Sequence, residues 1–185
     1  MRSMSSMSRT IEDVRGLIAA LAGREPPQGL APKRPADEAR SAAIEALPLG
    51  ESADARALRS ALLLWNDDLD RSHTLSQELT TPTGSLLHGI MHRMEGDYWN
   101  AEYWFRRVGA HPCYPDAARE ASALGGAEAF GAGGVWDPIA FNRAVERAVR
   151  EGGAAAETLE RVQRAEMTAV VRHCFQQCFG GTALD

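Results

Sequence analysis

The chain has 185 residues, of which 44% are hydrophobic, and its formal net charge at pH 7 is -5. This length suffices for one buried core, and the interspersed acidic and basic residues create no broad positive field that would attract nucleic acid. The chain has no run of about 18 apolar residues, and its first residues, MRSMSSMSRT, lack the apolar stretch of a secretory signal. Its three cysteines fit a reducing compartment. We therefore expect a cytoplasmic domain that neither enters a membrane nor binds nucleic acid.

The first half of the chain predicts helices separated by proline and glycine. Apolar residues recur every three or four positions, which is the helical period, and no segment alternates as a strand does. After a flexible tail, residues 1–9, a helix begins at a Thr10 cap, and a proline-rich linker over 24–35 then interrupts the pattern. A short helix is expected over 36–47. A long core helix is expected over 52–73, because one apolar stripe runs along it: Leu58, Leu62, Trp65 and Leu69.

The second half predicts further helices with short connections. One helix follows the TTPTGS break and runs to Glu95, and Asp97 begins another that ends near Gly109. The remaining elements are a helix over 116–124, a glycine-rich loop over 125–134, a helix over 138–150 and a final apolar helix that ends near Cys178. The expected fold is all-α, a single-domain bundle of about seven or eight helices arranged as antiparallel hairpins over residues 10–185.

The central hairpin, residues 85–112, resembles a tetratricopeptide repeat. The family's small residue, turn glycine and packing positions fall here on Gly89, Gly96, Tyr98, Ala101 and Phe105. No second copy occurs at the family's spacing, so the resemblance covers one hairpin rather than an array. It implies a binding module that engages a protein segment or a small molecule. This is the leading functional prediction.

The hairpin departs from the family where large apolar residues are usual, at Ser85, His88 and His92. The segments WNDDLDRSH, HGIMHR and DYWNAEYWFRRVG are also similar to uncharacterised bacterial and fungal proteins. That similarity implies no activity.

The histidines of this region suggest a metal site. His88 and His92 are four residues apart, so one helix face carries both imidazoles, and Glu95 lies on the same face. His73, near the end of the preceding helix, can add a further ligand, and Asp70 can orient a histidine. Such a set suits zinc or another divalent metal in a hydrolase-type enzyme, which is the alternative function. The competing interpretation is that both histidines are neutral fillers, hydrogen-bonded to backbone or carboxylate groups.

Large aromatic side chains suggest a ligand pocket, since rings with a polar tip commonly line clefts. Arg107 can present a guanidinium to an anionic ligand beside them. The predicted ligand-binding residues are Trp65, Trp99, Tyr103, Trp104 and Arg107. The competing interpretations are ordinary packing between helices, helix-dipole compensation by Arg107 and a homodimer contact.

The cysteines carry weaker predictions. Cys113 lies beside prolines in a loop, and no base is apparent as its partner. Cys174 and Cys178 share a helix face, where small buried hydrophobes are favoured over a thiolate metal site. The sequence itself identifies no catalytic residue.

Overall fold

The computed structural model describes residues 4–124, 130, 132–153 and 155–184. Within those ranges it contains nine α-helices and no strand, which confirms the all-α prediction. The helices are α1 (Met4–Ala22), α2 (Glu38–Glu45), α3 (Ala53–Trp65), α4 (Leu69–Ser76), α5 (Pro82–Glu95), α6 (Tyr98–Val108), α7 (Tyr114–Ser122), α8 (Pro138–Glu151) and α9 (Ala155–Cys178). They form a single-domain bundle of helical hairpins. No helix of these ranges combines the length and the apolar character needed to cross a membrane.

Local capping explains where several helices begin. The Thr81 side chain accepts a hydrogen bond from the Gly84 amide at 3.1 Å, with Pro82 in the first turn of α5. Asp97 caps α6 and Asp137 caps α8 in the same way. A side-chain oxygen at this position satisfies an amide that has no partner within the helix. These starts agree with the sequence prediction.

The predicted long helix over 52–73 is wrong. The chain leaves the helical conformation after Trp65, and Asp67 takes a positive φ of 63°. Tertiary contacts hold this turn: the buried Asp67 carboxylate lies 2.7 Å from the Arg24 guanidinium, and the Gln28 amide donates to it at 2.8 Å. The break lets α4 fold back onto α3, where the Ser60 and Ser72 hydroxyls lie 3.0 Å apart. It also changes the direction from which His73 approaches α5.

The N-terminal boundary also differs from the prediction. α1 begins at Met4, so most of the predicted tail, residues 1–9, is helical and Thr10 is not a cap. The Thr10 hydroxyl instead donates to the Ser6 carbonyl within the helix at 3.0 Å. The proline-rich segment, residues 24–35, forms no helix or strand, as predicted. Of the predicted glycine-rich loop, 125–129 and 131 lie outside the described residues, and Ala132–Gly134 forms a 3-10 turn.

α5 lies in the interior of the bundle. Every residue from 84 to 94 is buried, so this helix is covered on all sides by its neighbours. Its most extensive contact is with α6, where a Cβ placed on Gly89 would come within 2.7 Å of the Phe105 ring. Gly96 makes the tight turn between the two helices with a φ of 95°. Polar side chains of α5 are consequently enclosed by protein.

Candidate metal centre

The three predicted histidines converge where α4 packs against α5. One nitrogen from each of His73, His88 and His92 lies within 4.8 Å of the others. His88 and His92 are buried, with exposed fractions of 5% and 7%, while His73 is half-buried. His88 and His92 are one helical turn apart, so their side chains lie side by side on α5, and the folded-back α4 supplies His73. The site therefore joins two helices, and its solvent-facing member is His73.

Stacked rings fix the orientation of the two buried imidazoles. Trp104, from α6, stacks on His88 with centroids 4.0 Å apart and planes inclined by 14°. His88 stacks in turn on His92 at 4.8 Å and 16°, and His73 meets His92 edge-on at 5.4 Å. Parallel rings in contact restrict rotation of the imidazoles. The ring nitrogens are thereby held close together.

Burial keeps the two α5 histidines neutral. Removal from solvent, together with the nearby His92 and His73, lowers the pKa of His88 to about 4. Burial also lowers the pKa of His92, although Glu95 opposes this shift. A neutral imidazole has the free lone pair that a metal ion requires, so both side chains are in the ligating form at neutral pH.

Glu95 lies beside His92 and outside the three-nitrogen cluster. The carboxylate accepts the Nδ1 proton of His92 at 3.2 Å, which leaves Nε2 as an acceptor. The Asn100 side-chain amide, from α6, is 3.1 Å from this Nε2 and donates to it. A carboxylate that fixes the tautomer of a histidine is a common support for metal ligation. The structure thus places Glu95, predicted as a ligand, where it can orient one; sequence reasoning missed Asn100, because no local pattern connects α6 to His92.

The donor set fits a small divalent ion after modest side-chain rotation. Nitrogens bound tetrahedrally at about 2.05 Å from zinc lie about 3.4 Å apart, so ligation must draw these atoms together by up to about 1.4 Å. The Asn100 amide would also have to release His92. His88 Nδ1 is buried and has no hydrogen-bond partner among the residues that the structure describes. An unsatisfied buried nitrogen is uncommon in folded proteins and is relieved by ligation or by a bound water molecule.

A polar cavity adjoins the outer side of the site. Its volume is about 580 Å³, and Glu95, Asp70 and Arg71 lie on its wall together with the proline-rich segment. Asp70, predicted to orient a histidine, thus borders the cavity beside Glu95. Lys33 and Arg34 supply further charge from the proline-rich segment. The Glu95 carboxylate therefore connects His92 to a space that a polar molecule can enter.

The predicted aromatic ligand residues occupy different environments. Trp65 is buried in the core with 2% exposed, whereas Trp99 is 81% and Tyr103 46% exposed on α6. The Arg107 guanidinium lies over both neighbouring rings, 5.6 Å from the Tyr103 centroid and 5.5 Å from that of Trp104. Trp104 belongs to the histidine stack. Trp65 therefore packs in the core, while the α6 residues form an exposed aromatic and basic surface.

Cys113 has a base partner after all, which corrects the sequence interpretation. His111 Nδ1 lies 3.0 Å from the Cys113 sulfur and 3.2 Å from its backbone nitrogen. The signal was the HPC sequence, in which a turn brings positions two apart into contact. Burial raises the pKa of the Cys113 thiol and lowers that of His111 to about 4, so both groups stay neutral. A protonated, buried thiol is a poor nucleophile.

The histidine cluster has the chemistry of an open metal site. Three imidazoles would leave one position of a tetrahedral ion for water or substrate, and an ion held this way would make bound water more acidic. Glu95 stands next to His92 and lines the adjoining cavity.

No protein-family model, curated protein or solved structure matches the chain.

Proposed function

We propose that this protein binds one divalent transition-metal ion, zinc in the first instance, through His73, His88 and His92. The observation that carries the proposal is the convergence of three imidazole nitrogens within 4.8 Å from two separate helices. Imidazole is a preferred ligand of zinc, and three of them make the donor set of open, catalytic sites.

The surroundings of the cluster support ligation over simple filling of the core. Charged histidines would repel one another here, and burial holds His88 and His92 in the neutral form. Glu95 accepts the distal proton of His92, as expected for a ligand presented through Nε2. His88 retains a buried nitrogen that no described residue hydrogen-bonds, although a polar side chain that only fills the core should be satisfied.

The open position favours a hydrolase-type activity. The bound ion would polarise a water molecule in the remaining position, and the half-exposed His73 marks the side that faces solvent. Glu95 orients His92, and the adjoining polar cavity offers room for a substrate. No described side chain is assigned as nucleophile, since the ion itself would activate water.

Metal analysis of the full chain tests the proposal, with a matched pair of variants. The His73→Phe variant removes a half-buried ligand while keeping a ring of similar size. The His173→Phe variant is its control: His173 is also half-buried on a helix, and its ring meets buried His111 edge-on at 4.7 Å. We expect one zinc ion per chain in the unaltered protein and in His173→Phe, and a loss of at least tenfold in affinity in His73→Phe.

Two results would overturn the proposal. One is a purified chain that takes up no zinc, cobalt or nickel at neutral pH while its helical circular dichroism is intact. The other is equal metal binding by both histidine variants, which would place the ion elsewhere.

The hairpin α5–α6 supports a second candidate, a tetratricopeptide-like binding module for a protein segment or small molecule. Its α6 exposes Trp99 and Tyr103 beside Arg107, and such a surface suits an extended peptide with acidic and apolar residues. Selection from a displayed peptide library tests it. Peptides should bind the unaltered chain and His73→Phe equally and should lose binding to Trp99→Ala; no enrichment, or binding unaffected by Trp99→Ala, contradicts this candidate.

A further inference from the structure

One hydrogen bond of the histidine cluster occupies a nitrogen that a metal ion would need. The Asn100 side-chain amide nitrogen lies 3.1 Å from His92 Nε2 and 3.5 Å from His92 Nδ1. Nδ1 directs its proton to the Glu95 carboxylate, so the lone pair that accepts from Asn100 is that of Nε2. A neutral imidazole has a single such lone pair, which can accept a hydrogen bond or bind an ion, but cannot do both.

The other two histidines have no such competitor. No described residue hydrogen-bonds a ring nitrogen of His73 or His88, and the Nδ1 atom of His88 is buried in that state. Within the described chain, His92 is therefore the member of the cluster whose lone pair is engaged by another side chain. Binding of an ion by all three imidazoles requires one exchange of partner, and that exchange takes place at His92.

Asn100 can release His92 without any movement of the backbone. It lies in the first turn of α6 and is half-buried, so its side chain has access to solvent. Its backbone amide donates to the Asp97 carboxylate at 3.3 Å, a contact that does not involve the side-chain amide. Rotation of the side chain to another staggered position would free Nε2 and let the amide donate to water. Release therefore costs one hydrogen bond of the protein.

We propose that Asn100 sets the metal affinity of the histidine cluster by competing with the ion for Nε2 of His92. This inference rests on the proposed function. Because the ion must displace a hydrogen bond, the cluster binds it more weakly than three unoccupied imidazoles would, by the factor of about 2 to 10 that one such bond contributes. When the ion leaves, the amide takes back the lone pair. Asn100 thus acts through His92, as a positioning residue and not as a ligand.

The zinc affinity of Asn100→Ala tests this proposal, since alanine suits the helix and removes the donor. Competition with a chromophoric chelator at neutral pH measures the dissociation constants of the full-length proteins. We expect Asn100→Ala to bind zinc about 2- to 10-fold more tightly than the unaltered chain. Loss of a residue that merely supports a metal ligand weakens binding, so a gain separates competition from a supporting role. Trp99→Ala is the matched control: it changes an exposed side chain in the same turn of α6 and should leave the affinity unchanged.

The side-chain N–H resonances of Asn100, assigned by their loss in Asn100→Ala, give a second readout. Zinc should move them to the positions of solvent-exposed amides, and excess chelator should return them. Equal or weaker zinc binding by Asn100→Ala, resonances that bound zinc leaves unmoved, or an equal gain in Trp99→Ala would overturn the role of Asn100 while the metal site stands. If neither the unaltered chain nor Asn100→Ala binds zinc, the three-histidine site fails and this inference fails with it.

Discussion

At the scale of single residues, close packing restricts which side chain position 89 can carry. Gly89 lies mid-helix in α5, where glycine ordinarily costs stability relative to alanine. It is accommodated because the buried Phe105 ring of α6 rests against the backbone there. The same two positions carry the small and the large residue of the tetratricopeptide pattern.

We predict that Gly89→Ala destabilises the protein. The new methyl group would lie 2.7 Å from two Phe105 ring carbons, and the enclosed ring has little room to move. Overpacking of this kind costs about 1–3 kcal/mol, measured as the free energy of unfolding in urea. Gly16→Ala is the control, since Gly16 is helical and exposed, and a Cβ placed on it would meet no atom of another described part of the chain within 4 Å. It should gain about 0.5–1 kcal/mol, and equal signs for the two variants would contradict the packing explanation.

We predict that the protein loses stability in mild acid because the buried His111 becomes protonated. Burial and His173 lower its folded-state pKa to about 4, below the ordinary 6.5 of an unfolded histidine. The folded state therefore gains stability from keeping His111 neutral; this contribution is complete above pH 6.5 and is lost as the pH falls toward 4. Between pH 7 and 5 the loss from this group is about 2 kcal/mol.

The variant His111→Asn isolates that effect, since an Asn carbonyl can still accept from the Cys113 amide but does not titrate. Urea unfolding of both proteins at pH 7 and pH 5, with a chelator present, measures the difference. The drop in stability should be about 2 kcal/mol smaller in His111→Asn. An identical drop in the two proteins would show that His111 does not carry the pH dependence.

At the scale of elements, one buried arginine joins three helices. Arg93 of α5 has no exposed surface and pairs with Glu166 of α9 at 2.5 Å, while its guanidinium lies 4.6 Å from the Phe141 ring of α8. The next residue toward the N-terminus is His92. The pair therefore helps to set the position of the helix that carries two of the three histidines.

We predict a large loss of stability for Arg93→Met and a smaller one for the double variant Arg93→Met, Glu166→Met. The single change leaves a buried carboxylate without its partner, which costs about 3–5 kcal/mol. The double change removes both charges and fills the space with apolar atoms, so most of that loss should be recovered. Urea unfolding of the two variants measures the difference, and a double variant that is less stable than Arg93→Met would contradict this account.

Elements were predictable where their signals are local. Thr81 with Pro82, and Asp97 and Asp137, start helices through contacts within a few residues, and those starts were found from the sequence. The break between α3 and α4 contains neither glycine nor proline. The Asp68 side chain caps α4 and is a local signal, but the positive φ at Asp67 is held by Arg24, more than forty positions earlier in the chain, and the continuous apolar stripe favoured one long helix.

The residues of the candidate site were likewise predictable only where the signal lies within one helix. His88 and His92 were found because four-residue spacing is a property of one helix. Stacking of Trp104 on His88 depends on how α6 packs, and the sequence cannot distinguish Trp104 from the exposed Trp99 by residue type. Burial, set by neighbouring helices, decides which ring joins the site.

For the whole molecule, the proposed metal site would link α4, on the outside of the bundle, to α5 in its interior. α4 contributes His73, and α5 contributes His88 and His92 while contacting α3, α4, α6 and α8. An ion held by all three would therefore oppose separation of α4 from the bundle. Because ligation requires the folded arrangement, binding energy adds to the stability of the fold.

We accordingly predict that zinc raises the melting temperature of the chelator-treated protein. At a free concentration of about 100 times the dissociation constant, binding adds about 2.7 kcal/mol, which corresponds to about 5–10 °C for a chain of this size. Calorimetry before and after addition of zinc measures the shift, and excess chelator should reverse it. His173→Phe should show the same rise, whereas His73→Phe should show little, because the two remaining ligands lie on one helix and cannot restrain α4. A rise of equal size in His73→Phe would mean that zinc stabilises the fold from another place, and the three-histidine site would then be wrong.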